Sequence, residues 1–230
     1  MPTVRRIRRR GMAIPALCEL ILKQGPSRNV VNLDWTSLWT TNNKFIDPIA
    51  PRFTAIFKEN IVVAAVHGAS TAAVLEDRPK HAKNPSLDTK RVVYSSNLYF
   101  DQGDAALFKE NEEITLMNWE NGIISTWLGD VKRTEKKVTW LCMDQPLVPV
   151  ELVDFEHVIT KEKLEKNENI LPYINWKSEF RSHGWADCNV SELAKDDIIQ
   201  FERKGYYCVD RAYHDGLPAV LFNIPTGKTN

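Results

Sequence analysis

Apolar positions in the first fifth of the chain recur at helical spacing. Ile14, Leu17, Cys18, Ile21 and Leu22 fall at i, i+3, i+4, i+7 and i+8, which predicts one buried helix face. Pro15 suits the first turn, where a missing N–H costs nothing, and Gly25-Pro26 ends the helix. A second helix is predicted from about Asp34, its cap, with Trp35, Leu38, Trp39 and Phe45 on one face. Pro48 and Pro51 stop it. After Pro51 the pattern becomes that of strands. Residues 53–57, 61–66, 91–100, 113–119, 123–128, 137–143, 148–155, 198–209 and 219–224 are rich in β-branched and aromatic side chains, and several alternate with polar ones. Asn121-Gly122 and Asp215-Gly216 are hairpin turn signals. Residues 76–89, with Arg78-Pro79 and Asn84-Pro85, read as an exposed linker or long loop. Residues 160–197 read as mixed, with short helices near 161–166 and 190–195. Many short strands separated by turns predict a mainly β fold of barrels or sandwiches behind a helical start, not a parallel βαβ sheet.

Composition places this pattern in an ordinary globular class. The chain has 230 residues, 43% apolar and 26% charged, so disorder over its whole length is excluded. The longest apolar run, Ile61 to Val66, is far short of the roughly 20 residues a membrane helix needs. No signal peptide opens the chain. Cys18, Cys142, Cys188 and Cys208 are widely separated without a C-x-x-C, which disfavours zinc and a disulfide framework. The reading is a soluble protein of a reducing compartment. Net charge is zero, but Arg5, Arg6, Arg8, Arg9 and Arg10 crowd the start, and the other 220 residues carry 25 basic and 30 acidic side chains. Bulk charge therefore cannot drive nucleic-acid binding, which would need local clusters and pockets.

Catalytic chemistry leaves no trace in the motifs. The chain has no G-x-G-x-x-G, P-loop, G-x-S-x-G or H-E-x-x-H, and its five histidines do not pair at ligand spacing. The arginine cluster reads either as a solvated basic face or as a phosphate contact, since guanidinium forks match phosphate oxygens. Trp35, Trp39, Trp119 and Trp140 read as core residues rather than base-stacking platforms.

Two segments are more specific. Ile46-Asp47-Pro48-Ile49-Ala50-Pro51-Arg52-Phe53-Thr54-Ala55-Ile56 resembles the opening of the C-terminal half of eukaryotic glutamyl-tRNA synthetases. Gln200-Phe201-Glu202-Arg203-Lys204-Gly205-Tyr206-Tyr207 with Asp210 resembles the closing segment shared with glutaminyl-tRNA synthetases. Between and before them, in order, lie further matches: Pro2-Thr3-Val4 with Arg8-Arg9-Arg10-Gly11-Met12, Lys80-His81-Ala82-Lys83-Asn84-Pro85, Val138-Thr139-Trp140-Leu141, Val148-Pro149-Val150, and Phe155-Glu156-His157-Val158-Ile159-Thr160. The resemblance covers about residues 2–228.

The resemblance implies a helical connecting segment over 1–48 that contacts the tRNA stem, one antiparallel β-barrel over 49–145 and a second over 146–230, with exchanged first strands. It implies the anticodon-binding part of a cytoplasmic glutamate–tRNA ligase of protein synthesis, with glutamate tRNA as partner. Other synthetases or a tRNA-binding cofactor protein are further possible partners; neither DNA nor a membrane is. The family's two ATP-handling signatures, one His-Ile-Gly-His-like and one Lys-Met-Ser-Lys-Ser-like, are absent from the sequence. ATP with magnesium would therefore belong to a full-length enzyme. This chain alone is expected to be inactive, with no cofactor, metal or catalytic residue.

Carried over residue by residue, Arg52, Gln200 and Arg203 would read the uracil at the middle of the anticodon. Arginine supplies donors and a glutamine amide both donor and acceptor, matching an opened uracil edge. Gln200 and Arg203 are three apart, so both can reach one base only if the strand ends or bulges there. Arg8, Arg9 and Arg10 would touch stem phosphates. Thr115 and Met117 fall where the glutaminyl branch has arginines, which argues against glutamine tRNA; Lys109 and Asn118 are candidates for the outer bases. Between Gly122 and Val138 the chain is about one hairpin shorter than the family pattern. The alternatives are the same region of a glutaminyl enzyme or of a fused glutamyl–prolyl enzyme, or a free-standing RNA-binding or scaffold protein on a borrowed fold.

Overall fold

The computed structural model describes residues 3–26, 35–109, 112–119, 121–123, 126–127, 136–161, 165 and 168–227. Three helices open the chain. Helix α1 (Val4–Arg9) is capped by Thr3, whose hydroxyl accepts from the Arg6 N–H. Helix α2 (Ile14–Gln24) carries a proline in its first turn and ends at Gly25, φ 67°. Helix α3 (Trp35–Ile46) follows, and the Asp34 cap expected for it lies outside the described residues. Asn42 of α3, fully buried, accepts from Ala13 N at 2.8 Å and donates to Gly11 O at 3.0 Å, stapling the α1–α2 turn onto α3.

The buried stripe of α2 is not the one expected. Ala16 and Leu20 are buried against Met12, Leu38 and Trp39, while Ile14, Ile21 and Leu22 stay 52%, 56% and 79% exposed. Periodicity marks where large apolar groups fall, but the neighbour decides which stripe is covered, and small Ala16 lets α3 approach. Trp39 is core, whereas Trp35 stacks on it from the edge and is 37% exposed.

The strands follow in chain order. They are β1 (Arg52–Phe53), β2 (Ala55–Phe57), β3 (Val62–Ala65), β4 (Val74–Pro79), β5 (Thr89–Tyr94) and β6 (Asn97–Phe100), then, past helix α4 (Gln102–Ala105), β7 (Glu113–Leu116), β8 (Asn121–Ile123), β9 (Thr126–Trp127), β10 (Lys137–Val138) and β11 (Trp140–Cys142). The last third adds β12 (Val148–Phe155), β13 (Glu179–Ala186), β14 (Ile198–Phe201), β15 (Gly205–Arg211) and β16 (Ala219–Ile224).

One sheet has the order β1-β14-β15-β16-β12-β13-β2. Its two edges, β1 and β2, are one segment interrupted only at Thr54, so the sheet closes on itself. Inside lie Phe53, Val150, Leu152, Ile199, Phe201 and Leu221, each at most 2% exposed. The outer face of β14–β16 carries Ile198, Tyr206, Cys208 and Ile224 and receives the three helices. Gly11, at φ 86°, permits this contact, because a Cβ there would come within 2.2 Å of Ile224 Cδ1. A second core joins β5, β6, β7, β10 and β11 through Tyr94, Leu98, Phe100, Ile114, Val138 and Trp140. Trp119 packs against it, 5.1 Å from both the Tyr94 and Trp140 rings. Segment 137–142, although it runs into the C-terminal strands, pairs with β7 through β10 and with β6 through β11.

Three expectations are corrected. Residues 76–79 are not loop: β4 pairs with β5 from Val74↔Tyr94 to Pro79↔Thr89, and all six β4 residues are exposed, so no alternation announces the strand. Residues 179–186 form an eight-residue strand, β13, paired along its length with β12. A short 3₁₀ turn at Cys188–Glu192 stands near the helix expected at 190–195, and much of 161–166 lies outside the described residues. Asn121 and Gly122 pair with Thr115 and Ile114 inside the β7–β8 ladder; the turn precedes them and uses Asn118 at φ 63°. Asp215-Gly216 does turn, with φ 47° and 78°, and His214 O accepts from Leu217 N.

Strand β13 is hard to read because its core face carries small residues. Gly184 packs so tightly that a Cβ would sit 2.7 Å from Ile56 O. Backbone cannot yield as a side chain does. Gly184→Ala is expected to cost about 1–3 kcal/mol through overpacking. A lowered urea midpoint at unchanged m-value checks this, and an unchanged midpoint refutes it.

Candidate nucleic-acid interface

Strand β1 lies parallel to β14 in the register Arg52↔Gln200 and Phe53↔Phe201. Both phenylalanines are buried in the barrel, so strand alternation sends Arg52 and Gln200 together to the outer side. The Arg52 N–H donates to Lys80 O at 2.7 Å, and Gln200 N donates to Pro51 O at 2.9 Å, which fixes both backbones. Arg52 Nη2 lies 3.7 Å from Asp47 Oδ1, and the Tyr206 hydroxyl donates to that same carboxylate oxygen. Burial and Asp47 together push the Tyr206 hydroxyl pKa up. Arg52 Nε and Gln200 Oε1 are shielded and have no hydrogen-bond partner among the described residues. One donor and one acceptor on register-paired residues are thus left unused among the described residues.

A loop clamps this corner. His81, 2% exposed, donates through Nε2 to Asp47 O at 3.0 Å while its Nδ1 accepts from Lys83 N. Asn84 Nδ2 donates to Pro48 O at 2.8 Å. Residues 80–84 therefore hold the backbone of 47–52, through one carbonyl and the side chains of His81 and Asn84.

Arg203 is aimed by a turn. Strand β14 ends at Phe201, whose register partner is Gly205, leaving Glu202, Arg203 and Lys204 as the loop. Arg203 has φ 63° and Gly205 φ 120°, so strand alternation no longer applies. Its guanidinium makes a two-pronged pair with Asp104 of α4, Nη2 to Oδ1 at 2.8 Å, and this pair raises its pKa. Two of five N–H groups are used there, and among the described residues no other hydrogen-bond partner of this guanidinium is seen. Lys204 pairs with Asp101 at 2.6 Å and lies over the Phe57 ring. Next to Arg203 is a groove of about 410 Å³, lined among others by Asp104, Phe108, Met117, Lys136 and Lys137. Lys136 is held by Leu107 O and Glu112, while Lys137 is exposed. Of the outer-base candidates, Lys109 is exposed and Asn118 gives its amide to Glu202; Thr115, where the glutaminyl branch has an arginine, is 6% exposed.

The N-terminal arginines part ways. Arg8 is exposed. Arg9 forks onto Asp210 at 2.5 and 2.7 Å and lies over Phe222. Arg10 is inserted between Trp39 and Phe155, its charge centre 5.5 and 5.0 Å from the rings, and burial lowers its pKa. Arg9 and Arg10 therefore hold α1 against the barrel. The sequence gives no role to Lys80, Asp47, Tyr206, Glu202 or Asp104 in this corner. The first four stand in the matched segments, but no spacing marks them as neighbours. Asp104 carries no signal at all.

Chemically, the register-paired Arg52 and Gln200 offer a donor fork and an amide of both polarities, while Arg203 is held on Asp104 beside the groove. This suits the edge of an unstacked pyrimidine. Residues 50–140 and 137–210 match the family described as "tRNA synthetases class I (E and Q), anti-codon binding domain". The chain is 48% identical to a probable cytoplasmic glutamate–tRNA ligase of Schizosaccharomyces pombe and 44% identical to a cytoplasmic glutamate–tRNA ligase of Saccharomyces cerevisiae, each over 99% of this chain and 34% of the relative. It is 34% identical to a bifunctional glutamate/proline–tRNA ligase of Cricetulus griseus over 99% of this chain and 17% of that relative. The chain thus spans about a third of the length of the cytoplasmic ligases it matches.

Proposed function

The chain belongs to the anticodon-binding family of the class I glutamate and glutamine tRNA synthetases, and from that premise we propose that it holds the opened anticodon of a glutamate tRNA. The observation that carries this reading is the β1–β14 register, which sets Arg52 beside Gln200 with their backbones pinned. Arg52, Gln200 and Arg203 read the middle uracil, with Arg203 closing the pocket from the hairpin turn. The adjoining base takes the groove beside Phe108, Met117 and Lys137. Arg8 meets a stem phosphate, and Arg9 and Arg10 keep α1 in place for it. The connecting segment is 1–48 and the two barrels are 49–145 and 146–230, with their first strands exchanged.

The longer protein is a glutamate–tRNA ligase of the cytoplasm, working in protein synthesis. ATP is its substrate, and no step of that chemistry is routed through this chain. Among the described residues no group of three His, Cys, Asp or Glu side chains is placed to hold a metal ion, and no helix is long and apolar enough to cross a membrane. The chain contributes positioning: correct anticodon contacts align the acceptor end elsewhere, specificity by assembly.

Fluorescence anisotropy tests the pocket. Changing the middle uracil to cytosine swaps a carbonyl acceptor for an amine donor and removes the ring N–H. Wild type is expected to favour uracil by about 1–3 kcal/mol, roughly 5- to 150-fold, and Arg203→Ala to lose most of that preference. Glutamine tRNA as competitor separates the two substrates. Equal binding of both RNAs by both proteins, with steep salt dependence, would mean phosphate attraction alone and would overturn the reading.

A further inference from the structure

Glu202 stands between Gln200 and Arg203 in the chain, yet its side chain turns inward and is 8% exposed. Oε2 accepts from Asn118 Nδ2 at 2.9 Å and from the Thr54 hydroxyl at 3.4 Å. Oε1 lies 4.0 Å from Lys90 Nζ, and the Lys90 side chain is 3% exposed. The Glu202 N–H donates to Phe53 O at 3.0 Å. Asp187, also buried, accepts from Thr54 N at 2.7 Å and orients Asn189, whose amide brackets Arg91. One ammonium and two carboxylates are thus enclosed where the two β-rich units meet.

Stability does not account for such a cluster. Removing charges from water costs several kcal/mol each, and well-packed apolar residues of similar volume serve a core as well or better. Its placement does account for it. Thr54 follows the strand that carries Arg52. Asn118 turns the β7–β8 hairpin, and Lys90 belongs to β5 of the middle core. The one carboxylate therefore ties the turn that aims Arg203 to the strand of Arg52 and to the neighbouring unit.

We infer that Glu202, held by Asn118 and Lys90, is a positioning residue for base reading. It never meets the base. It fixes the Glu202–Lys204 turn against Thr54 and Asn118, so that Arg203 stands at the mouth of the pocket formed by Arg52 and Gln200. This inference rests on the anticodon reading proposed above.

Two variants test it in the 230-residue chain. Glu202→Gln keeps shape and removes charge. Asn118→Gly keeps the positive φ of the turn and the carbonyl that accepts from Tyr94 while removing the 2.9 Å donor, so it stays informative where the first variant fails to fold. Each is measured for its urea midpoint and for its affinity ratio between glutamate tRNA and the same tRNA with a middle cytosine. The expected result is a ratio reduced 5-fold or more, with the affinity for the cytosine RNA within twofold of wild type. Adding Arg203→Ala to Glu202→Gln is expected to change the ratio no further. Variants that fold and keep the full wild-type ratio would overturn the positioning role and leave the pocket standing. A wild type with no ratio to lose would remove the anticodon reading itself, and this inference with it.

Discussion

A fragment of residues 146–227 is expected to show no cooperative unfolding transition, and adding a fragment of residues 1–58 is expected to restore one. The closed sheet borrows both of its edge partners from residues 52–57. Without them β14 loses the Arg52 and Phe53 pairings, and β13 loses Ala55, Ile56 and Phe57. Gln200 N and Glu202 N lose their acceptors on Pro51 and Phe53, and Asp187 loses Thr54 N. The core loses Phe53 at 2% exposure and Ala55 at 0%. Losing a buried phenylalanine side chain alone costs about 3–5 kcal/mol, against a total stability of about 5–15 kcal/mol for a domain. The same cut strips the helices from Tyr206, Cys208 and Ile224. Urea titration followed by circular dichroism decides the matter. A sigmoidal transition from 146–227 alone would show that the strand is dispensable, and silence after mixing would show that it is not the missing piece.

That dependence explains what was legible in the sequence. Strands β12 and β16 stood out because apolar residues fill most of their positions and are mostly buried. The Asp215-Gly216 turn stood out because its geometry is local. Strand β4 is covered on neither face, so its Glu76, Asp77 and Arg78 look like loop. Strand β13 was hidden by Ser182, Gly184 and Ala186, small residues where the sheet packs tightly. The α2 stripe misled because Ile14, Ile21 and Leu22 turn away from the core that buries Ala16 and Leu20.

The site was legible in a different way. No local pattern says that Arg52 and Gln200 meet, because the β1–β14 pairing is parallel and long-range. Resemblance alone supplied those two and Arg203. The need for the strand to end or bulge there was legible, and the structure answers it with a strand that ends at Phe201 and a turn with Arg203 at positive φ. Resemblance did not separate the arginines of the first helix. Arg10 enters between two rings supplied by α3 and β12, and Arg9 forks onto Asp210 of β15, partners far away in sequence.

Raising the pH from 9 to 11 is expected to cost the fold about 4 kcal/mol through two adjacent residues of β15. Tyr207 points into the barrel, its ring 5.4 Å from that of Phe201, and burial followed by the charge of Asp154 pushes its hydroxyl from 10.0 up to about 12. Cys208 points the other way, into the helix-covered core. Burial followed by Asp196, Asp210 and Asp197 pushes its thiol from 9.0 up to about 12. Both groups keep their protons in the folded state where the unfolded chain has lost them. Above pH 9 the unfolded state therefore binds fewer protons, and stability falls as pH rises. The window runs from 9.0 to about 12 for Cys208 and from 10.0 to about 12 for Tyr207. At pH 11 the unfolded chain is favoured by two units of proton affinity at Cys208 and one at Tyr207, at about 1.4 kcal/mol per unit. Urea midpoints measured every half pH unit test this in wild type, Cys208→Ala and Tyr207→Phe. Cys208→Ala is expected to weaken the decline that begins at pH 9, leaving the smaller contribution of the buried Cys188 thiol, and Tyr207→Phe to leave the onset at pH 9 and flatten the slope above 10. Curves that run parallel in all three proteins would place the alkaline loss elsewhere. Separate effects on the early decline and on the later slope would mean that the two faces of one strand, barrel and helix cover, come apart in a single transition.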